Sequence, residues 1–151
     1  MPGVRTWWIV SAVIAILAVS VVPVPAAARS FAWSLTCDGG GSVGMSWNWT
    51  QGGVPIPAAG GTPGCGTSGG ETRPASADGF TGHLSIVLCG DIFPCAVDTD
   101  SVTKSFNPAH AFKTTLSVSA SVQVSICDPS NFCKHNRFIT VSGSAKFTIS
   151  S

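Results

Sequence analysis

The sequence predicts an all-β chain, an antiparallel β-sandwich of about six to seven strands, and three observations carry that prediction. Leu116, Val118, Ala120, Val122, Val124 and Ile126 alternate with Ser117, Ser119, Ser121, Gln123 and Ser125, the two-residue period of a strand with one dry face and one wet face. Ile139, Val141, Gly143, Ala145, Phe147 and Ile149 repeat that period on the far side of a loop. No segment after residue 28 carries helical periodicity, and turn-forming residues separate the alternating runs.

The first 28 residues stand apart. Arg5 gives a short basic start, Trp7 to Val22 is an unbroken run of apolar and small residues, and Pro23 and Pro25 end it. Ala26-Ala27-Ala28 then offers the small-residue pattern of a cleavage site before Arg29, so the segment reads as a secretory signal peptide. The apolar run is shorter than the ~20 residues of a spanning helix, and no stable membrane anchor is expected after cleavage. Residues 29–151 remain as a single domain, with room for one hydrophobic core.

Within that domain, Phe31, Trp33, Leu35 and Cys37 alternate with polar or small residues and predict a first strand. Asp38-Gly39-Gly40-Gly41-Ser42 is turn chemistry. Val43, Met45, Trp47 and Trp49 predict a second strand whose tryptophans share the core face. Asn48-Trp49-Thr50 matches the N-glycosylation sequon, with Asn48 on the outward face. Residues 51–79 are rich in Gly and Pro and read as one long loop, held back by Cys65. Leu84, Ile86 and Leu88 predict a further strand. Val102 and Phe106 lie on a returning one, and Lys104 on the same face marks it as an edge. Asn107-Pro108-Ala109-His110 turns the chain into the long strand. Leu84–Cys89 and Val122–Cys127 form a weak repeat, each followed by five residues and then a second cysteine, which predicts two similar hairpins. In the last hairpin the apolar faces match with Leu116 opposite Ile149, Val118 opposite Phe147 and Ala120 opposite Ala145.

The six cysteines all follow residue 28, and an even count in an exported small domain reads as disulfides. Cys89–Cys95 and Cys127–Cys133 are the shortest closures, which leaves Cys37–Cys65. Cys-x2-Cys spacing is absent, so a metal site is not expected. If successive strands run up and down, the turns at 38–42, 89–95 and 127–137 lie at one end. With two sheets and short stapled loops, the chain resembles immunoglobulin-like secreted modules in architecture; the Cys…Trp…Cys spacing of true immunoglobulin domains is missing.

Charge excludes one class of partner. Residues 29–100 hold two arginines against six acids, a balance of −4, and residues 101–151 hold five bases against Asp128 alone, a balance of +4. The result is a dipolar chain without the basic excess of a nucleic-acid binder. Catalytic motifs are equally sparse. There is no Gly-x-Ser-x-Gly, Glu71 is the single glutamate, His83, His110 and His135 have no acid at a telling spacing, and Asp98-Thr99-Asp100-Ser101 lacks the further acids of a calcium loop. No catalytic residue and no cofactor is expected, although a small hydrolase with an unmarked site is the third alternative. The leading expectation is a secreted, non-catalytic module that binds a protein or glycan through its stapled loops. Its candidate contact residues are Ile92, Phe93 and Pro94 in the first ring, and Phe132, Lys134, His135 and Arg137 at the second. The alternative is an inhibitor of an extracellular hydrolase, inserting residues 90–94 as a restrained loop.

Overall fold

The computed structural model describes residues 29–61, 63–90, 95–128, 130, 132 and 134–151. The expected signal segment, Ile92, Phe93, Pro94 and Cys133 lie outside the described residues. Among the described residues every regular element is a strand: β1 (Ser30–Asp38), β2 (Ser42–Gln51), β3 (Val54–Gly60), β4 (Ser68–Thr72), β5 (Gly79–Leu88), β6 (Ala96–Ser105), β7 (Lys113–Cys127) and β8 (Asn136–Ser150). They form two four-stranded antiparallel sheets, ordered β4-β1-β8-β7 and β3-β2-β5-β6.

The count exceeds the expected six to seven because the 51–79 stretch is not a plain loop. It contains β3 and β4, each the outer strand of its sheet. Pro55 and Pro57 are tolerated in β3 because an edge strand leaves one row of backbone groups unpaired. The β2–β3 connection is a two-residue turn, Gly52 (φ 57°) and Gly53 (φ 79°), with Gln51 paired to Val54. Two successive positive φ angles are what a tight hairpin turn asks of its central residues.

Inward side chains of the two sheets meet in one dry layer. Phe31 of β1 lies 5.2 Å, centroid to centroid, from both Trp47 and Trp49 of β2. Phe147 of β8 lies 5.2 Å from Phe80 of β5. All five rings are buried, so the tryptophan stripe is core, as its parity predicts. The small residues in the middle of the late hairpin are filled from across the layer: a Cβ on Gly143 would sit 3.3 Å from Ile86 Cδ1 and 3.4 Å from Val43 Cγ1.

The β7–β8 register is a correction. Leu116 pairs with Phe147, Val118 with Ala145, Ala120 with Gly143 and Val122 with Val141, two residues from the expected pairing. A two-residue slip leaves every side chain on its own face, so alternation alone does not distinguish the registers. The observed one sets Gly143 beside Ala120, with Val118–Ala145 and Val122–Val141 on either side of this thin point. The two hairpins expected from the repeat are β5–β6 and β7–β8, one in each sheet.

β6 and β7 are the other two edges, and they are joined by side chains rather than by a ladder. Asp100 accepts a hydrogen bond from the Ser119 amide at 2.9 Å, and Asp98 accepts one from the Ser121 amide at 2.8 Å. Inward-facing carboxylates on an edge strand thus take up the donors of the facing edge, which otherwise invite pairing with another chain. The Asp98–Asp100 pair is therefore a closure device of the fold.

Candidate functional site

The two sheets bring three chain reversals to one end of the molecule. β1 ends and β2 begins there, since Asp38 pairs with Ser142 and Ser42 with Val87. The β5–β6 turn stands at the same end, and Gly90 packs against the β7 backbone: a Cβ there would lie 3.2 Å from the Ser125 carbonyl oxygen. β7 and β8 run on past the end of β1, from Val122 to Cys127 and from Asn136 to Val141. They form a two-stranded overhang whose register has no β1 partner beyond Ser142.

Disulfides fix this end. Cys37–Cys65 has a Cα–Cα distance of 5.5 Å and Cys89–Cys95 one of 4.0 Å, both as spacing predicts. Cys127 is also disulfide-bonded; its expected partner Cys133 is outside the described residues. Cys37–Cys65 ties β1 to the crossover that carries the chain from β3 in one sheet to β4 in the other. Backbone hydrogen bonds from Leu35 to Thr67 and from Gly66 to Leu35, each 2.9 Å, hold the same crossover down.

The tip of the overhang is organised by Asp128. Its carboxylate accepts hydrogen bonds from the Ser130 hydroxyl at 2.7 Å and the Ser130 amide at 3.0 Å, which lower its pKa; Arg137 acts in the same direction more weakly. Phe132 follows with φ +54°, in the left-handed region, which a bulky residue seldom adopts. Its side chain is 89% exposed, and Phe138 on the outer face of β8 is 65% exposed. Val97, at the start of β6, is a third exposed apolar side chain at this end. Lys134, His135 and Arg137 are exposed on the same tip. The structure therefore brings together Phe132, Lys134, His135 and Arg137, and adds Phe138, which parity with the inward Ile139 already places on the outer face. Ile92, Phe93 and Pro94 lie outside the described residues.

The remaining candidates are dispersed. His83 lies on the outward face of β5, level with Ser46 and Ser101; His110 lies in the β6–β7 crossover at the opposite end. Asn48 is exposed on β2. Among the described residues no three His, Cys, Asp or Glu side chains cluster as metal ligands, and no helix is long and apolar enough to cross a membrane. The chain matches no protein-family model, no curated protein and no solved structure.

Proposed function

We propose that the protein is an exported, non-catalytic binding module that engages another extracellular protein through the overhanging β7–β8 hairpin. The observation that carries this reading is Phe132, an aromatic side chain almost wholly in solvent on a backbone held at φ +54°. Backbone strain of this kind costs of order 1–3 kcal/mol and persists where the surroundings impose it, often at ligand clamps. Phe132 and Phe138 supply apolar anchors, and Lys134, His135 and Arg137 supply a basic rim suited to an acidic partner surface. Disulfide bonds in this end agree with an oxidising compartment. The immunoglobulin-like comparison rests on two facing antiparallel sheets with loops at their ends. The strand order is the chain's own, with β1 beside β8 in one sheet.

Capture by the immobilised protein from the medium of the source culture tests this, with Phe132→Ala and Arg137→Ala as site variants and Lys146→Ala as a control on the outer face. A partner protein held by the parent and by Lys146→Ala, and released by Phe132→Ala with a loss of about 2 kcal/mol expected of an anchor, supports the proposal. Capture indifferent to both site variants, or capture of polysaccharide alone, overturns it. The inhibitor reading is separated by Phe93→Ala, which abolishes inhibition of a target hydrolase if the 90–94 turn is the inserting loop.

A further inference from the structure

At the end opposite the overhang, the β6–β7 crossover borders a cleft of about 340 Å³ lined by Lys104, Phe106, Asn107, His110, Phe112, Lys113 and Thr114. Its volume is near the lower end of the roughly 300–1,000 Å³ of small-molecule sites. Among the described residues two lysines and a histidine line it, and no carboxylate does. Its apolar wall is a pair of stacked rings, Phe106 and Phe112, with centroids 4.9 Å apart.

The protein side of that wall carries a further cation. Arg73 is 1% exposed, and its guanidinium carbon lies 4.8 Å from the Phe106 centroid and 5.2 Å from that of Phe112. One terminal nitrogen donates to the Ala77 carbonyl at 3.1 Å. Nε and Nη2 are buried with no hydrogen-bond partner among the described residues. Burial first, and then the like charge of Arg29, lowers its pKa, without discharging a guanidinium at neutral pH. A cation held in the protein without a carboxylate beside it adds positive potential to this end of the molecule, and low-dielectric surroundings weaken its screening.

The crossover itself is held in place. The Asn107 carboxamide oxygen accepts from the Ala109 amide at 2.9 Å, and the Ser151 hydroxyl bridges the chain, accepting from the Phe112 amide at 3.0 Å and donating to the His110 carbonyl at 3.1 Å. The Phe106 amide donates to the Asp78 carbonyl at 2.8 Å. The walls are thus fixed before any ligand arrives, which reduces the ordering cost of binding.

We propose that this basal cleft binds a small organic anion, a carboxylate with a flat apolar body. The carboxylate is met by Lys104, Lys113 and His110, and the body lies against Phe106 and Phe112. The site is distinct from the hairpin surface and does not depend on it.

Calorimetric titration of the purified protein with 2-naphthoate, with its neutral amide 2-naphthamide and with inorganic phosphate tests the assignment. Naphthoate binds and the amide does not. Lys104→Gln and Lys113→Gln, both exposed positions whose loss leaves the fold intact by circular dichroism, each weaken naphthoate by about tenfold, as expected for a charged hydrogen bond. Lys134→Gln at the far end leaves the affinity unchanged. Equal binding of acid and amide overturns the anionic part of the proposal, and binding of phosphate as tight as naphthoate overturns the apolar part. Absence of any naphthoate binding, or equal weakening by Lys134→Gln, overturns it altogether.

Discussion

A Cβ added at Gly82 would enter the space of the Phe147 ring, which is fully buried. Gly82 therefore has its place in β5 for want of a side chain rather than for a special backbone angle, and Gly82→Ala tests that. Overpacking of this kind costs about 1–3 kcal/mol, read as a lower denaturant midpoint at unchanged slope. Asp128 gives a second test. Its pKa is lowered from 3.8, first by the Ser130 hydroxyl and then by the Ser130 amide. A depressed carboxyl contributes its stabilisation above the unfolded value and loses it as pH falls through the folded one. The Ser130 amide resonance is accordingly expected to titrate with Asp128, with a midpoint below 3.8. Asp128→Ala abolishes that titration, and a midpoint at or above 3.8 would contradict the turn geometry. Neither Gly82 nor Arg73 announces itself in the chain: a glycine between Thr81 and His83 and a lone arginine in a Gly- and Pro-rich stretch carry no periodic signal. What marks them is contact with rings distant in the chain, Phe147 for Gly82 and Phe106 and Phe112 for Arg73, and that contact is a property of the fold.

The strands that alternate cleanly, β1, β2, β5, β7 and β8, were legible because each buries one face, and burial imposes a period of two. β3 and β4 were not, because both are edges. Val-Pro-Ile-Pro and Ser-Gly-Gly-Glu-Thr satisfy only one neighbour, so Pro and Gly are admitted there and the composition reads as loop. Gly52-Gly53 between Gln51 and Val54 was the available signal, since a paired glycine turn marks a hairpin. The side-chain link from β6 to β7 was invisible for another reason. In sequence Asp98 and Asp100 suggest only calcium ligands, whereas they take the β7 amides of Ser121 and Ser119. Replacing both by Ala removes two hydrogen bonds worth about 0.5–1.5 kcal/mol each at an exposed edge. Faster amide exchange is expected at Ser119 and Ser121, with the protected amides of the β7–β8 ladder little changed. Unaltered exchange at those two positions would mean that the carboxylates do not close the edge. A chain so altered also presents a free β7 edge, and concentration-dependent self-association is the expected consequence.

The two crosslinks with described geometry act over different reaches, and that difference orders their effects on the molecule. Cys37–Cys65 spans 28 residues and Cys89–Cys95 spans six. The first closes a loop that leaves one sheet and enters the other, so it limits how far the sheets separate in the unfolded chain. The second closes a single turn. On the chain-entropy model the longer closure contributes ~3.6 kcal/mol and the shorter ~2.4 kcal/mol, against a total stability of about 5–15 kcal/mol for a domain of this size. The Cys37→Ser, Cys65→Ser pair is therefore expected to lower stability by about 1 kcal/mol more than Cys89→Ser, Cys95→Ser. It should also accelerate exchange of the Leu35 and Gly66 amides, which bond across the crossover. The shorter pair should leave those amides untouched and instead loosen the turn beside Ser125, at the end where the hairpin overhangs. Equal losses, or the reverse order, would show that the long bridge does not restrain the unfolded chain. The sheets would then be held together by their aromatic layer and by the Asp98 and Asp100 hydrogen bonds between β6 and β7.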